Sequence, residues 1–328
     1  MRRAVPTLGA ILLGALAVLA SPAAARSPLR VIAPTSGHAI VAIGVDAGRV
    51  LLGENPSGDS GCARLVLVRL RGATTTLTQP AGPTCASGGR LDEASLGART
   101  IGLALDRAMW RVQLPDGGAL IASGGSGEAE QVMARASAGS ATALGPVVAQ
   151  HWLRLYGSVR GGSGWITSGN RKVKWRSATA YAPVGLDDAE HVVAVGPSGA
   201  IAMFHPHGAV YARSVAADAL TAAVDGAAVL VLRRDRRTMD VRGLDGDLRA
   251  THRLRGRAAA AIDACNGLAV YVGGGVVRAI SLGAWRDVVL HRPAPGMRVL
   301  DVQVAPRFVA VLERGPAAPR GRVVLYAR

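Results

Sequence analysis

Residues 268–290 read Leu-Ala-Val-Tyr-Val, Gly-Gly-Gly, Val-Val-Arg-Ala-Ile, Ser-Leu-Gly-Ala, Trp-Arg-Asp-Val-Val-Leu. Three short apolar, β-branched runs alternate with two turn-forming clusters, which is the signature of consecutive antiparallel strands. The stretch before it has the same grammar: Ala227–Leu232, a turn, Met239–Gly243, Leu-Asp-Gly-Asp at 244–247, then Leu248–Leu254. A unit that returns at a fixed period marks a repeat architecture and decides the fold before any motif is considered.

Two kinds of turn organise the rest of the chain. One sits at Asp46-Ala47-Gly48, Gly97-Ala98-Arg99, Asp225-Gly226, Asn266-Gly267 and Pro306-Arg307. Asp-Gly and Asn-Gly favour tight hairpins because their residues accept positive φ. The other sits at Leu70-Arg71-Gly72, Pro115-Asp116-Gly117, Gly169-Asn170, Pro206-His207-Gly208, Asp245-Gly246 and Leu282-Gly283. From Asn170 through Gly208 and Gly246 to Gly283 the spacing is 38, 38 and 37 residues. Each period holds four antiparallel strands, the blade of a β-propeller, in which radial repetition leaves only short protected edges. The expected fold is therefore all-β, a β-propeller of seven four-stranded blades. Blades three and four are expected at roughly 144–184 and 185–217. The last unit has three strands, ending in Val323-Val324-Leu325-Tyr326, and Leu29–Ala33 has the alternation to supply its fourth. Such a strand would cover an edge that otherwise invites pairing with other chains.

These features resemble secreted bacterial propellers of the WD-repeat-like and quinoprotein-like kind, over almost all of residues 26–328. Gly37-His38 is similar to the Gly-His that opens a WD repeat, and Leu244-Asp245-Gly246-Asp247 to the turn of quinoprotein repeats. No Trp-Asp dipeptide occurs. The resemblance implies architecture and leaves the molecular task open.

Arg2-Arg3, the apolar run Leu8–Ala20 and Ser21-Pro22-Ala23-Ala24-Ala25 compose a secretory signal. The run is shorter than the roughly 20 residues that a membrane span needs. Residues 1–25 are expected to be removed, leaving a secreted or periplasmic protein of one domain, 26–328, without a transmembrane anchor. The net charge is +16, and loss of Arg2 and Arg3 leaves +14. Lys172 and Lys174 are the only lysines, so the excess is carried by arginine. A basic exported protein favours anionic surfaces. Its expected partner is a protein or an anionic cell-envelope or polysaccharide component rather than nucleic acid, and a monomer is expected.

The second-to-third and fourth-to-first connections of a blade emerge on one face. The long stretches Glu54–Arg64, Thr78–Arg90, Ser123–Ala143, Gly157–Gly164 and Glu313–Arg322 all fall there, and loops held by a rigid scaffold carry function. Arg233-Arg234-Asp235-Arg236-Arg237 is the densest charge cluster on that face, and Arg64, Arg160 and Arg320 lie on neighbouring loops. Together these arginines form a candidate anion site, with a solvated hairpin tip as the plain alternative. Asp92, Glu93, Asp187, Asp188, Asp263 and Asp301 lie on or near first strands, which line the central channel. They are candidates for a cation or substrate site or for local backbone bonding.

Cys62 and Cys85 fall in two loops of the same face and are expected to form a disulfide. An unstrained bridge there would stabilise the fold by about 3 kcal/mol. Cys265 is left as a buried thiol. Gly58-Asp59-Ser60-Gly61 imitates a serine-protease motif without the partners a triad requires. His205 and His207 flank Pro206 as turn residues rather than a zinc pair. No cofactor motif appears, and no metal site is expected. The leading expectation is a non-catalytic binding protein. The alternative is an exported lyase or hydrolase acting on an acidic sugar at the channel mouth.

Overall fold

The computed structural model describes residues 27–46, 48–58, 61–72, 74–77, 90–96, 100–105, 108–113, 121–122, 143–144, 154–157, 163–168, 171–176, 182–186, 191–196, 198–204 and 215–328. The expected signal, Cys85, Arg160, His205 and His207 lie outside them.

The described strands form seven four-stranded antiparallel sheets. Blade one comprises His38–Val45, Arg49–Pro56, Arg64–Arg69 and Thr74–Thr76; blade two comprises Leu91–Leu96, Thr100–Leu105, Ala108–Gln113 and Ile121–Ala122. Blade three has Ala143–Leu144, Arg154–Gly157, Ser163–Ser168 and Arg171–Arg176, and blade four Ala182–Leu186, Val192–Val195, Ala200–Phe204 and Val215–Ala216. Blade five runs Ala219–Asp225, Ala228–Arg233, Thr238–Gly243 and Leu248–Arg253; blade six runs Ala258–Cys265, Leu268–Gly273, Val276–Ser281 and Arg286–His291. Blade seven takes Arg298–Val304, Phe308–Gly315 and Ala318–Ala327 from the end of the chain, and Arg30–Ile32 from its beginning. That fourth strand pairs Arg30 with Leu325, Val31 with Val324 and Ile32 with Val323. The Leu29 N–H adds a bond of 2.7 Å to the Leu325 carbonyl.

Strand periodicity explains the stacking of blades. Alternate residues of a strand face opposite sides of the sheet. In blade five, Leu230 and Leu232 pack with Ala258, Ala269 and Tyr271 of blade six, while Val229 and Val231 pack with Ile201 and Met203 of blade four. In blade seven, Val309 and Val311 meet blade six, and Phe308, Ala310 and Leu312 meet Ile43, Val50 and Leu52 of blade one. Second strands are thus apolar on both faces because both faces are buried. Contacts join blade one to two, run from three through to seven, and return from seven to one. Gly53 marks a close approach: a Cβ there would lie 2.2 Å from Leu91 Cδ2 of blade two. The Asn266-Gly267 turn has both residues at positive φ, 48 and 78°, as its sequence requires.

Two expectations are corrected. Pro183 and Val184, expected to end blade three, lie in the first strand of blade four. There a bulge between Pro183 and Gly185 accommodates the proline. The segment 313–322, expected as a long loop, is a hairpin arm in which Glu313 pairs with Arg322 and Gly315 with Ala318. Its Pro and Gly residues suggested a loop, but the ladder resumes after an irregularity between Glu313 and Gly315.

Candidate functional site

The arginine-rich connection of blade five is built around Asp235. Its carboxylate accepts the N–H groups of Arg237 (2.7 Å) and Thr238 (2.9 Å) and the Thr238 hydroxyl (2.6 Å). The Thr238 hydroxyl bond and then the main-chain bonds hold this carboxyl below its ordinary pKa. Asp235 is therefore held ionised in the turn, one negative charge among several arginines. Arg236 takes positive φ, 59°, which turns the chain at this tip.

A second connection is tied to the first. Arg253-Leu254-Arg255-Gly256-Arg257 joins blade five to blade six. The Leu254 N–H bonds the Arg237 carbonyl at 2.8 Å, and the Ala258 N–H bonds the Arg236 carbonyl at 2.7 Å. On the other side, the Gly274 N–H reaches the Arg257 carbonyl (3.1 Å) and the Arg255 N–H reaches the Tyr271 hydroxyl (3.3 Å). Gly256 has φ 89°, and a Cβ there would stand 2.9 Å from the Gly274 nitrogen, so glycine is required. Leu254 is buried as an anchor, whereas Arg237, Arg253, Arg255 and Arg257 are exposed and Arg236 is half-buried.

The structure separates the arginines that the sequence grouped. Arg233 is held by Asp240, donating from Nε and Nη2 at 3.0 and 2.9 Å, and Thr251 donates to the same carboxylate at 2.9 Å. Asp240 has no exposed surface, so this pair braces the hairpin. Arg234 points toward Asp218, 4.0 Å away, and toward the Ala219 carbonyl. Arg64 is exposed at the start of a third strand, and Arg320 is exposed on the blade-seven arm. Arg253, Arg255 and Arg257 were missed, although their place in a fourth-to-first connection assigns them to the same face.

Asp263 and Asp301 lie on the first strands of blades six and seven. Asp263 accepts the Ala264 N–H (2.8 Å) and, across the blade boundary, the Val304 N–H (2.7 Å). Asp301 accepts the Val302 N–H (2.8 Å) and the Gln303 amide (3.2 Å), and Gln303 also donates to the Ile43 carbonyl of blade one (2.8 Å). Both side chains keep some exposed surface, but protein encloses them. Burial pushes Asp263 up to about 7 and Asp301 up to about 6, against the main-chain bonds that favour the charged form. Asp263 therefore stitches blade six to blade seven, and Asp301 holds the Gln303 amide that reaches blade one. The side chain of Asp92 lies outside the described residues.

A further buried cluster had no local sequence signal. His291, Glu313, Arg322 and Tyr326 meet between blades six and seven. His291 Nε2 is paired with Glu313 (2.8 Å) and its Nδ1 with the Tyr326 hydroxyl (2.5 Å), and Arg322 Nε donates to Glu313 (2.6 Å). Burial, then the Glu313 charge, raises the Tyr326 hydroxyl above its ordinary pKa and keeps it protonated. All four are structurally engaged. Among the described residues, no group of three or more His, Cys, Asp or Glu side chains could hold a metal ion. Cys62 is half-buried with its expected partner outside the described residues, and Cys265 is a half-buried thiol beside the Asn266 turn.

No protein-family model matches the chain, and no curated protein matches it in sequence. Solved structures do. The β-propeller domain of Myceliophteria thermophila Cps50 (Swd1) is similar with TM-score 0.57 and 11% identity, over 91% of this chain and 100% of that one. The chain is a β-propeller. A chain of the mitotic checkpoint complex is similar at TM-score 0.57 and 10% identity, with 99% of each chain covered. The computationally designed Ika8 protein is similar at 0.52 and 11%, over 90% of this chain and 98% of its own. Propellers with so little shared sequence share a fold, and function has to be argued from the site.

Proposed function

We propose that this propeller is an exported, non-catalytic binding protein that engages a protein or cell-envelope partner through its long-loop face. One observation carries the reading. Of the candidate channel acids, Asp263 and Asp301 are spent on holding the structure, while Arg237, Arg253, Arg255 and Arg257 are exposed on a single face. The side chains of Asp92 and Glu93 and the residues Asp187 and Asp188 lie outside the described residues. An enzyme acting on an acidic sugar would need a carboxyl free to move a proton. Asp263 and Asp301 each have both oxygens engaged. Export rests on the apolar N-terminal run and its small-residue cleavage site.

The test places a photo-crosslinking residue at Arg237 or Arg255, and in separate variants at Arg71 or Arg307 in turns of the opposite face. Irradiation in native envelope extract should capture one specific component from the first pair of positions only. Equal capture from both faces, or from the opposite face alone, would refute the assignment of the working surface.

A further inference from the structure

Five arginines lie on two adjoining connections where blade five hands over to blade six: Arg236 and Arg237 on one, and Arg253, Arg255 and Arg257 on the next, which is hydrogen-bonded to it. Like charges gathered on a surface repel and destabilise the fold slightly, and folding alone gives no reason to assemble them. The usual remedy is an interspersed acid. Here Asp235, held ionised in its own turn, offsets one charge of the five, and Asp218 faces Arg234. The arrangement is also rigid where it could have been loose. Three main-chain bonds, at Leu254, Ala258 and Gly274, and the Arg255 N–H on the Tyr271 hydroxyl clamp both connections to each other and to blade six. A receptor whose charges are already in place loses less freedom on binding.

We propose that this cluster is a binding site for an anionic polymer of the cell envelope, a chain carrying phosphodiester or carboxylate groups at short intervals. Each such group offers paired oxygens that match the planar fork of a guanidinium. Several arginines in a row suit successive charges of one polymer better than a single small anion. The inference rests on the binding reading of the long-loop face and names its ligand class.

Two triple variants with equal charge change make the test. Arg253→Gln/Arg255→Gln/Arg257→Gln alters the site, and Arg71→Gln/Arg286→Gln/Arg307→Gln removes three exposed arginines of the opposite face. Each mature protein is titrated against fluorescent polyphosphate and, separately, poly-glutamate, at roughly 50 to 200 mM salt, with neutral dextran as control. The site predicts at least a tenfold loss of affinity and a shallower salt dependence for the first triple, and less than about a threefold loss for the second. The two probes distinguish phosphate from carboxylate recognition. Equal losses would reduce the binding to net charge and overturn the site, as would unaltered affinity in the first triple or no binding by the parent. Near-identical melting temperatures for all three proteins exclude unfolding as the cause. If crosslinking at Arg255 captures a protein while the polymers bind both triples alike, the face reading stands and the polymer site falls.

Discussion

Blades one and seven carry a glutamate at the same place in the ladder and treat it differently. Glu313 stands opposite Arg322, and Glu54 stands opposite Arg64. Both are fully buried. Glu313 is satisfied at both oxygens, by Arg322 and by His291, and His291 in turn by Tyr326. Glu54 accepts only the Thr35 N–H (2.9 Å) at one oxygen, and its Oε2 has no hydrogen-bond partner. The reason lies in what precedes each blade. Blade six ends in a six-residue fourth strand whose last residue is His291. Blade one is preceded by the three-residue strand Arg30–Ile32, which delivers main chain rather than an imidazole. The buried glutamate of blade one is thus left half-satisfied, and the seven–one joint is held instead by Gln303 and Arg314 donating to the Ile43 and Ile40 carbonyls (2.8 and 2.6 Å), whereas the joint between six and seven is locked by a polar relay through Glu313.

Breaking the relay should have the largest effect. Removing one partner of a buried ion pair leaves the other uncompensated, typically at a cost of 3–5 kcal/mol. We expect Glu313→Ala to destabilise by about that amount in urea unfolding, and Glu54→Gln to change stability by less than about 1 kcal/mol. Equal costs would dissolve the contrast between the two blades. Tyr326→Phe removes only the hydroxyl paired with His291 and should cost about 1–2 kcal/mol. A value near zero would mean that the relay ends at the imidazole.

A third difference is one of pH. Burial between blades six and seven raises the folded pKa of Asp263 to about 7, well above the ordinary carboxyl range. A raised carboxyl contributes stability that is fully present below its unfolded pKa and lost as pH rises through the folded one. The parent should therefore lose stability between about pH 4 and 7 relative to Asp263→Asn, by up to about 4 kcal/mol. Parallel stability–pH curves for the two proteins would contradict this assignment.

Much of the fold was readable because its causes are local. Alternating apolar runs and Gly-containing turns dictate strands and hairpins, and the turn spacing dictates the blades. Even the closing strand could be read, because Leu29–Ala33 alternates and the last unit lacked one strand. The site was read less well. Arg233 looked like one more surface cation because its partner, Asp240, lies across the hairpin. The His291 relay was invisible because its members are 22 and 35 residues apart and meet only after blades stack. Arg253, Arg255 and Arg257 could have been read from the register, but each is separated from the next by a small or apolar residue and makes no conspicuous run.

The ring's closure is tested most directly at its seam. Deleting residues 27–34 removes the strand paired with Val323–Leu325 and leaves the rest of every other blade intact. The account predicts a lower, broader melting transition and concentration-dependent self-association, because the bared edge of blade seven recruits other chains. A truncated protein that melts and elutes like the parent would contradict closure by the N-terminal strand.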